Sequence, residues 1–276
     1  MKTRFALTLM ALLPILVACK AQDGSSDTAP APAPAAETAT APAATPATDA
    51  AAPPAVGESA NAPATDTAAA PPAPPAPAPR APNGPEPVAG TDYLDIEGGQ
   101  PYQQAAGKIE VAEVFGYVCP ACNAFQPLIG PWKAGLPSDV HFVYVPAMFG
   151  GPWDDYARAF YAAETLGVQE KTHDALYKAI HVDQSLKGER GKDSVQDIAG
   201  FYAKYGVDSK TFIDTMSSFG VSAKTNRAKQ FATRSKITGT PSLIVNGKYL
   251  VKGQSFPDML RIADHLIARE RATLAK

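Results

Sequence analysis

Ile109-Glu110-Val111-Ala112-Glu113-Val114-Phe115-Gly116-Tyr117-Val118-Cys119-Pro120-Ala121-Cys122 is the stretch that decides the fold. Its first seven residues are rich in β-branched and aromatic side chains and partly alternate, which is the pattern of a strand. From Cys119 to about Ile129 the pattern becomes helical. Val140 to Val145 then reads as a second strand. Strand, helix, strand is the unit of a parallel pair. A Cys-x-x-Cys pair that begins a helix has both sulfurs within disulfide reach. The first sulfur meets the positive end of the helix dipole and its unpaired N–H groups. A thiolate is stabilised there, so the pKa of Cys119 should fall. Thiolate is the form that attacks or leaves in disulfide exchange. The reading expects Cys119 exposed and low in pKa, and Cys122 one turn further in, more buried and resolving.

Beyond this unit the chain reads as a helical block. Trp153, Tyr156, Ala157 and Phe160 keep the spacing of one helix face, and Gly167 is a plausible stop. Lys171 to Ile180 is helical. Ser194 to Asp197 looks like a capping box opening a helix that Gly206 ends. Two further helices follow near Ser209–Ser218 and Val221–Arg234. Strands return at Ser242–Val245 and Tyr249–Val251, flanking Asn246-Gly247, a strong hairpin signal because both turn residues tolerate positive φ. A last amphipathic helix carries Phe256, Met259, Leu260, Ala263 and Ile267, with Ser255 as its N-cap. Gly239-Thr240-Pro241 stands just before the hairpin. A proline at a strand start donates nothing to the ladder, and Thr240-Pro241 is a candidate for a cis bond. Pro127 falls inside the active-site helix, where a kink is expected. Met148-Phe149 could line a substrate groove or pack in the core.

Two other chemistries could use Cys119 and Cys122. Zinc needs about four ligands. The chain offers no second Cys-x-x-Cys, and His141, His173, His181 and His265 show no paired spacing, so no metal site is expected. A purely structural disulfide closing so small a loop would contribute little chain entropy. Redox activity remains the favoured reading.

The rest of the chain bounds the setting. Seventeen of the 27 prolines lie between Pro30 and Pro87, in a stretch with no aromatic residue and no cysteine. Such a stretch cannot bury a core, and it reads as a disordered Ala/Pro-rich tether over 19–88. The folding part is then 89–276, with a helical insertion at about 152–235. A formal charge of −2 excludes a strongly basic nucleic-acid binder. Lys2 and Arg4 precede a short apolar stretch from Phe5 to Ala18, the layout of a secretory signal over 1–18. It ends in Leu16-Val17-Ala18-Cys19, which resembles the lipobox of bacterial lipoproteins. That resemblance implies cleavage before Cys19, lipid on its sulfur and amino group, and a membrane anchor. Export places the domain where disulfides persist.

The ordered set Glu113–Cys122, Phe125, the helical block, Gly239-Thr240-Pro241 and Val245–Tyr249 resembles the thioredoxin superfamily, and within it the DsbA family of bacterial disulfide oxidases. The likeness runs from about Ile109 to Arg269. It implies an α/β thioredoxin fold with an inserted α-helical subdomain. It implies that the Cys119–Cys122 disulfide is the redox centre, with no other cofactor. Thr240-Pro241 would face the sulfurs and bind substrate as an added strand. Glu113 falls where a buried acid often lies beneath the cysteines, and it could move the proton of Cys122; a partly exposed strand residue is the other reading. Pro120 and Ala121, between the cysteines, would tune the potential. The best-known members carry histidine at the position of Ala121 and often valine at that of Thr240, so a weaker oxidant is possible. The implied partners are unfolded or reduced exported proteins and a DsbB-like membrane reoxidant, with the protein a monomer in the periplasm. Two other functions stay open: a reductase or isomerase of the same fold, and a non-redox peptide-binding lipoprotein.

Overall fold

The computed structural model of the protein describes residues 77–79 and 81–275. The signal segment 1–18, Cys19 and most of the tether lie outside the described residues. The strands are β1 (Tyr93–Asp95), β2 (Ile109–Phe115), β3 (Val140–Pro146), β4 (Ser242–Val245) and β5 (Tyr249–Val251). The α-helices are α1 (Pro120–Ala134), α2 (Pro152–Thr165), α3 (Gln169–His181), α4 (Val195–Ala203), α5 (Ser209–Ser217), α6 (Phe219–Arg234) and α7 (Phe256–Leu274), with a 3-10 turn at Gly188–Arg190. One sheet runs in the order β1-β5-β4-β2-β3. β2 and β3 are parallel and joined by α1, as expected of a strand-helix-strand unit. β4 lies antiparallel to β2, and β5 antiparallel to β4. Helices α2 to α6 stand in the chain between β3 and β4.

All seven residues of β2 are buried, because helices cover both faces of the sheet. Side chains alternate between the faces of a strand. Ile109 and Val111 therefore join Leu243, Val245, Phe125, Ile129 and Trp132 in the core under α1 and α7. Ala112 and Val114 turn the other way, into the core built with Tyr156, Phe160, Leu176, Tyr202 and Phe231 of the helical insertion. Glu113 shares the parity of Ile109 and Val111, which puts a carboxylate on the face that α1 covers.

Local signals explain the element ends. Ser194 accepts from the amide of Asp197, and Asp197 returns a bond to Ser194, the capping box read from the sequence. Ser255 caps α7 through the amide of Asp258 at 3.3 Å. α1 runs as one helix through Pro127 and also through Pro131. Strand β1 had no sequence signal. It has three residues, too few for a period, and exists because its backbone pairs with β5. Before it, residues 83–86 lie along α7: the His265 imidazole meets the Asn83 carbonyl at 3.1 Å, and Arg269 pairs with Glu86 at 3.2 Å.

The Asn246-Gly247 turn has both residues at positive φ, 51° and 67°. A Cβ on Gly247 would run into the backbone of Gln100, whereas one on Gly90, also at positive φ, would meet open space. Gly90→Ala should therefore cost about 1 kcal/mol, the strain of a left-handed side chain alone. Gly247→Ala should cost at least about 3 kcal/mol, since backbone must move as well. Urea unfolding of the two variants reads the difference, and equal losses would contradict the packing described.

Candidate redox site

Cys119 is the N-cap of α1, with extended backbone (φ −78°, ψ 117°), and Pro120 occupies the first turn. Proline suits that place because its missing N–H would have had no partner in the helix. The Cys119 sulfur accepts from the Cys122 amide at 3.3 Å. Serine or aspartate usually fills this capping role; here a sulfur does, and it gains by carrying charge. The Cys119 thiol also lies 3.5 Å from the Thr240 carbonyl, to which it donates, across 121 residues of chain. The Thr240-Pro241 bond is cis, as anticipated. Proline 241 and Thr240 are both half-buried beside the sulfurs, while Pro120 and Ala121 are exposed.

The two thiols are held very differently. Hydrogen bonding from Cys122 pulls the Cys119 thiol down to about 6; burial opposes this, and Thr240 and the amides of Cys122 and Ala121 assist it. Burial pushes Cys122 far up, and the neighbouring Cys119 and Glu113 add to the push. One expectation needs correction: Cys119 is not exposed but retains only 6% of its surface. Its sulfur is tucked between the start of α1, whose amide stabilises a thiolate, and the Thr240 loop, which covers it.

Glu113 is fully buried, and neither carboxylate oxygen has a hydrogen-bond partner among the described residues. Burial pushes its pKa up to about 8, against the pull of Lys133 and with a further push from Cys119. The alternative of a partly exposed strand residue is therefore set aside. Lys133, on α1, donates to the Tyr144 hydroxyl at 3.1 Å and lies 4.8 Å from the centre of that ring. Sequence reasoning missed Lys133, because nothing in a linear pattern shows that it shares a neighbourhood with Glu113.

A cavity of about 300 Å³ opens beside the cis-proline, lined by Thr238, Gly239, Thr240, Pro241, Lys252 and Met259 among others. Phe149 is exposed and packs on Trp153 with ring centres 4.9 Å apart, while Met148 is half-buried. Among the described residues, no three His, Cys, Asp or Glu side chains gather as a metal set, and no helix is long and apolar enough to cross a membrane.

A mixed sheet with a helical insertion, a Cys-x-x-Cys pair at the start of α1 and a cis-proline loop facing it define a thioredoxin-fold redox protein. Residues 139–263 match the family described as DSBA-like thioredoxin domain. The chain is 39% identical over 191 residues to the thiol:disulfide interchange protein DsbA of Pseudomonas aeruginosa PAO1, covering 68% of this chain and 88% of that relative. It is 42% identical over 187 residues to the protein of the same name from Pseudomonas syringae pv. tomato, covering 67% and 85%. The crystal structure of the oxidoreductase DsbA from Xylella fastidiosa superposes with a TM-score of 0.65 at 44% identity, over 67% of this chain and 98% of that one. The chain belongs to the DsbA family, and it is a thiol:disulfide oxidoreductase with the α/β thioredoxin fold and helical insertion of that family.

Two measurements follow from the site. In the reduced protein, thiolate absorbance should appear with a midpoint near pH 6, from one sulfur, and Cys119→Ser should remove that transition. A single midpoint near 9 would contradict the capping geometry. The second concerns Glu113. Its folded pKa, about 8, lies above the ordinary 4.5, so the folded protein keeps a proton that the unfolded chain has lost between those values. More protons on the folded state means stability falls as pH rises. Relative to Glu113→Gln, the native protein should lose stability from pH 4.5 to 8 and then level off. A pH-independent difference between the two would overturn the buried, neutral carboxyl.

Proposed function

We propose that this chain is a periplasmic oxidase that introduces disulfides into exported proteins, with Cys119 as the attacked sulfur and Cys122 as the resolving one. In the oxidised enzyme a substrate thiolate attacks Cys119 of the Cys119–Cys122 bond. A substrate–Cys119 mixed disulfide forms, and Cys122 leaves as a thiolate that takes up a proton. A second substrate thiolate attacks the substrate sulfur of the mixed disulfide. The substrate disulfide forms, Cys119 leaves as a thiolate, and two electrons have passed from substrate to enzyme. A membrane reoxidant then removes the electron pair. Glu113, buried near Cys122 and protonated up to about pH 8, is the group that supplies or receives the Cys122 proton. The Thr240-Pro241 loop receives the substrate chain as an added extended segment.

The observation that carries this reading is the asymmetry of the two sulfurs. Cys119 is stabilised as a thiolate by the start of α1, and Cys122 is pushed the opposite way by burial. A stabilised Cys119 thiolate favours the dithiol form and makes the disulfide easy to give away. Ala121 supplies no charged or hydrogen-bonding side chain, which tempers that drive and keeps a reductase or isomerase as the second reading.

The remaining parts of the proposal concern address. Residues 1–18 are the signal, Cys19 carries the lipid, and the Ala/Pro-rich tether that starts at 19 holds the domain off the membrane as a monomer; its last part, from Asn83, already lies along α7 and belongs with the domain. Several acyl chains together give stable anchoring, at roughly 0.8 kcal/mol per buried methylene.

The test uses three variants in the bacterial cell. Cys119→Ser should abolish oxidation of exported dithiols. Cys122→Ser should abolish it too, since the Cys119–Cys122 bond cannot form, and its lone Cys119 thiolate, attacking existing disulfides of exported proteins, should accumulate mixed disulfides that no Cys122 releases, seen as reducible high-mass bands. Cys19→Ser should move the protein from the membrane fraction to the soluble one without loss of dithiol oxidation in extracts. Activity in Cys119→Ser would sink the oxidase assignment, and membrane retention of Cys19→Ser would sink the anchor.

A further inference from the structure

The turn that delivers Cys119 to the helix is gripped residue by residue from the helical insertion. Gly116 has no room for a side chain because the Trp153 ring of α2 lies where a Cβ would be. The Tyr117 hydroxyl meets Nδ1 of His173, on α3, at 2.9 Å. The Tyr117 carbonyl meets Nε2 of His181, the last residue of α3, at 2.7 Å. Val118 packs toward Gly188 of the 3-10 turn, where an added Cβ would meet Val118 and Ile180. That turn is itself pinned, since buried Asp193 accepts from the amides of Lys187 and Gly188 at 3.0 and 2.9 Å.

These grips are not equivalent. Three act on side chains or on a bare Cα. Of these four grips from the described part of the insertion, His181 is the one that holds a backbone oxygen of the turn, that of the peptide joining Tyr117 to Val118. The turn closes through the Cys119 amide on the Gly116 carbonyl at 3.1 Å, so rotation of the peptide between them redirects Cys119. A carbonyl can only accept, so Nε2 of His181 must carry the proton. The sulfur of Cys119 depends on that aim. With alanine at 121, its stabilising contacts are the side chains of Cys122 and Thr240 and the backbone amides of Cys122 and Ala121, and these reward only a correctly directed sulfur.

We propose that His181 is a positioning residue for thiol–disulfide exchange: by donating to the Tyr117 carbonyl it holds the Gly116–Cys119 turn so that the Cys119 sulfur meets the start of α1. The inference rests on Cys119 being the reactive thiolate. It makes the far end of α3 part of the redox machinery, although α3 contributes no atom to the reacting sulfurs.

The test compares the native protein with His181→Ala and His181→Gln, each reduced, by the pH profile of iodoacetamide alkylation. Glutamine keeps an N–H donor at nearly the same reach and drops the imidazole. His181→Ala should raise the Cys119 midpoint and lower the alkylation rate at pH 5 by about fivefold, the worth of one hydrogen bond. His181→Gln should restore the native profile. A native midpoint in His181→Ala, or the same rise in both variants, would overturn the role of the donated bond. If the native protein itself shows no low midpoint, the failure lies with the reading of Cys119 and not with His181. Should His181→Ala not fold, nitrogen-15 spectra of the native protein decide. They should show a protonated Nε2 on His181 whose resonance shifts on oxidation of the cysteines, and an unprotonated or redox-silent Nε2 would overturn the proposal.

Discussion

A sulfur stands where helices usually place an oxygen. Cys119 caps α1, its Sγ accepting from the amide of Cys122, and the helix rewards it more as a thiolate than as a thiol. Everything nearby can be understood as holding that sulfur at that place. β2 delivers it, α1 receives it, and the Thr240 loop closes over it from the other end of the chain. The same closure covers Cys119 almost completely, so its low pKa is set by hydrogen bonding at the start of α1 against the opposing push of burial.

The sheet explains why the partner groups sit where they do. β2 lies between β4 and β3 and is buried on both faces, and its alternation sends Glu113 under α1 among apolar neighbours. A carboxyl there is driven toward its neutral form by desolvation, with Lys133 only partly offsetting the effect. Cys122, one turn into the helix, meets the same dry environment and is pushed in the unreactive direction. Two thiols three residues apart thus acquire opposite character from one helix end and one buried face.

Much of this was legible in the sequence, and the limits have physical reasons. Ile109 to Phe115 announced a strand, the Asn246-Gly247 pair announced the hairpin, and the capping box at Ser194 announced α4, because each is a local signal. The cysteine pair and Thr240-Pro241 were legible as separate motifs; that they lie 3.5 Å apart is a property of the fold. β1 could not be read, since three residues carry no period. The contacts of Lys133, Trp153 and His181 could not be read either. Each acts on a group 20 or more residues away, and the spacing that marks Trp153 as part of a helix face does not say that the face meets Gly116. The expected exposure of Cys119 failed for the same reason: the roof over it comes from residue 240.

The central claim is that the start of α1 stabilises the Cys119 thiolate enough to make the disulfide form the less stable one. The redox equilibrium of the purified protein against glutathione, read by trapping free thiols, tests it most directly. The account predicts a potential less negative than about −200 mV, with the dithiol dominant in a glutathione mixture poised there. A potential well below that value would contradict it, because the helix start would then be stabilising the disulfide's product too little to drive oxidation of substrates.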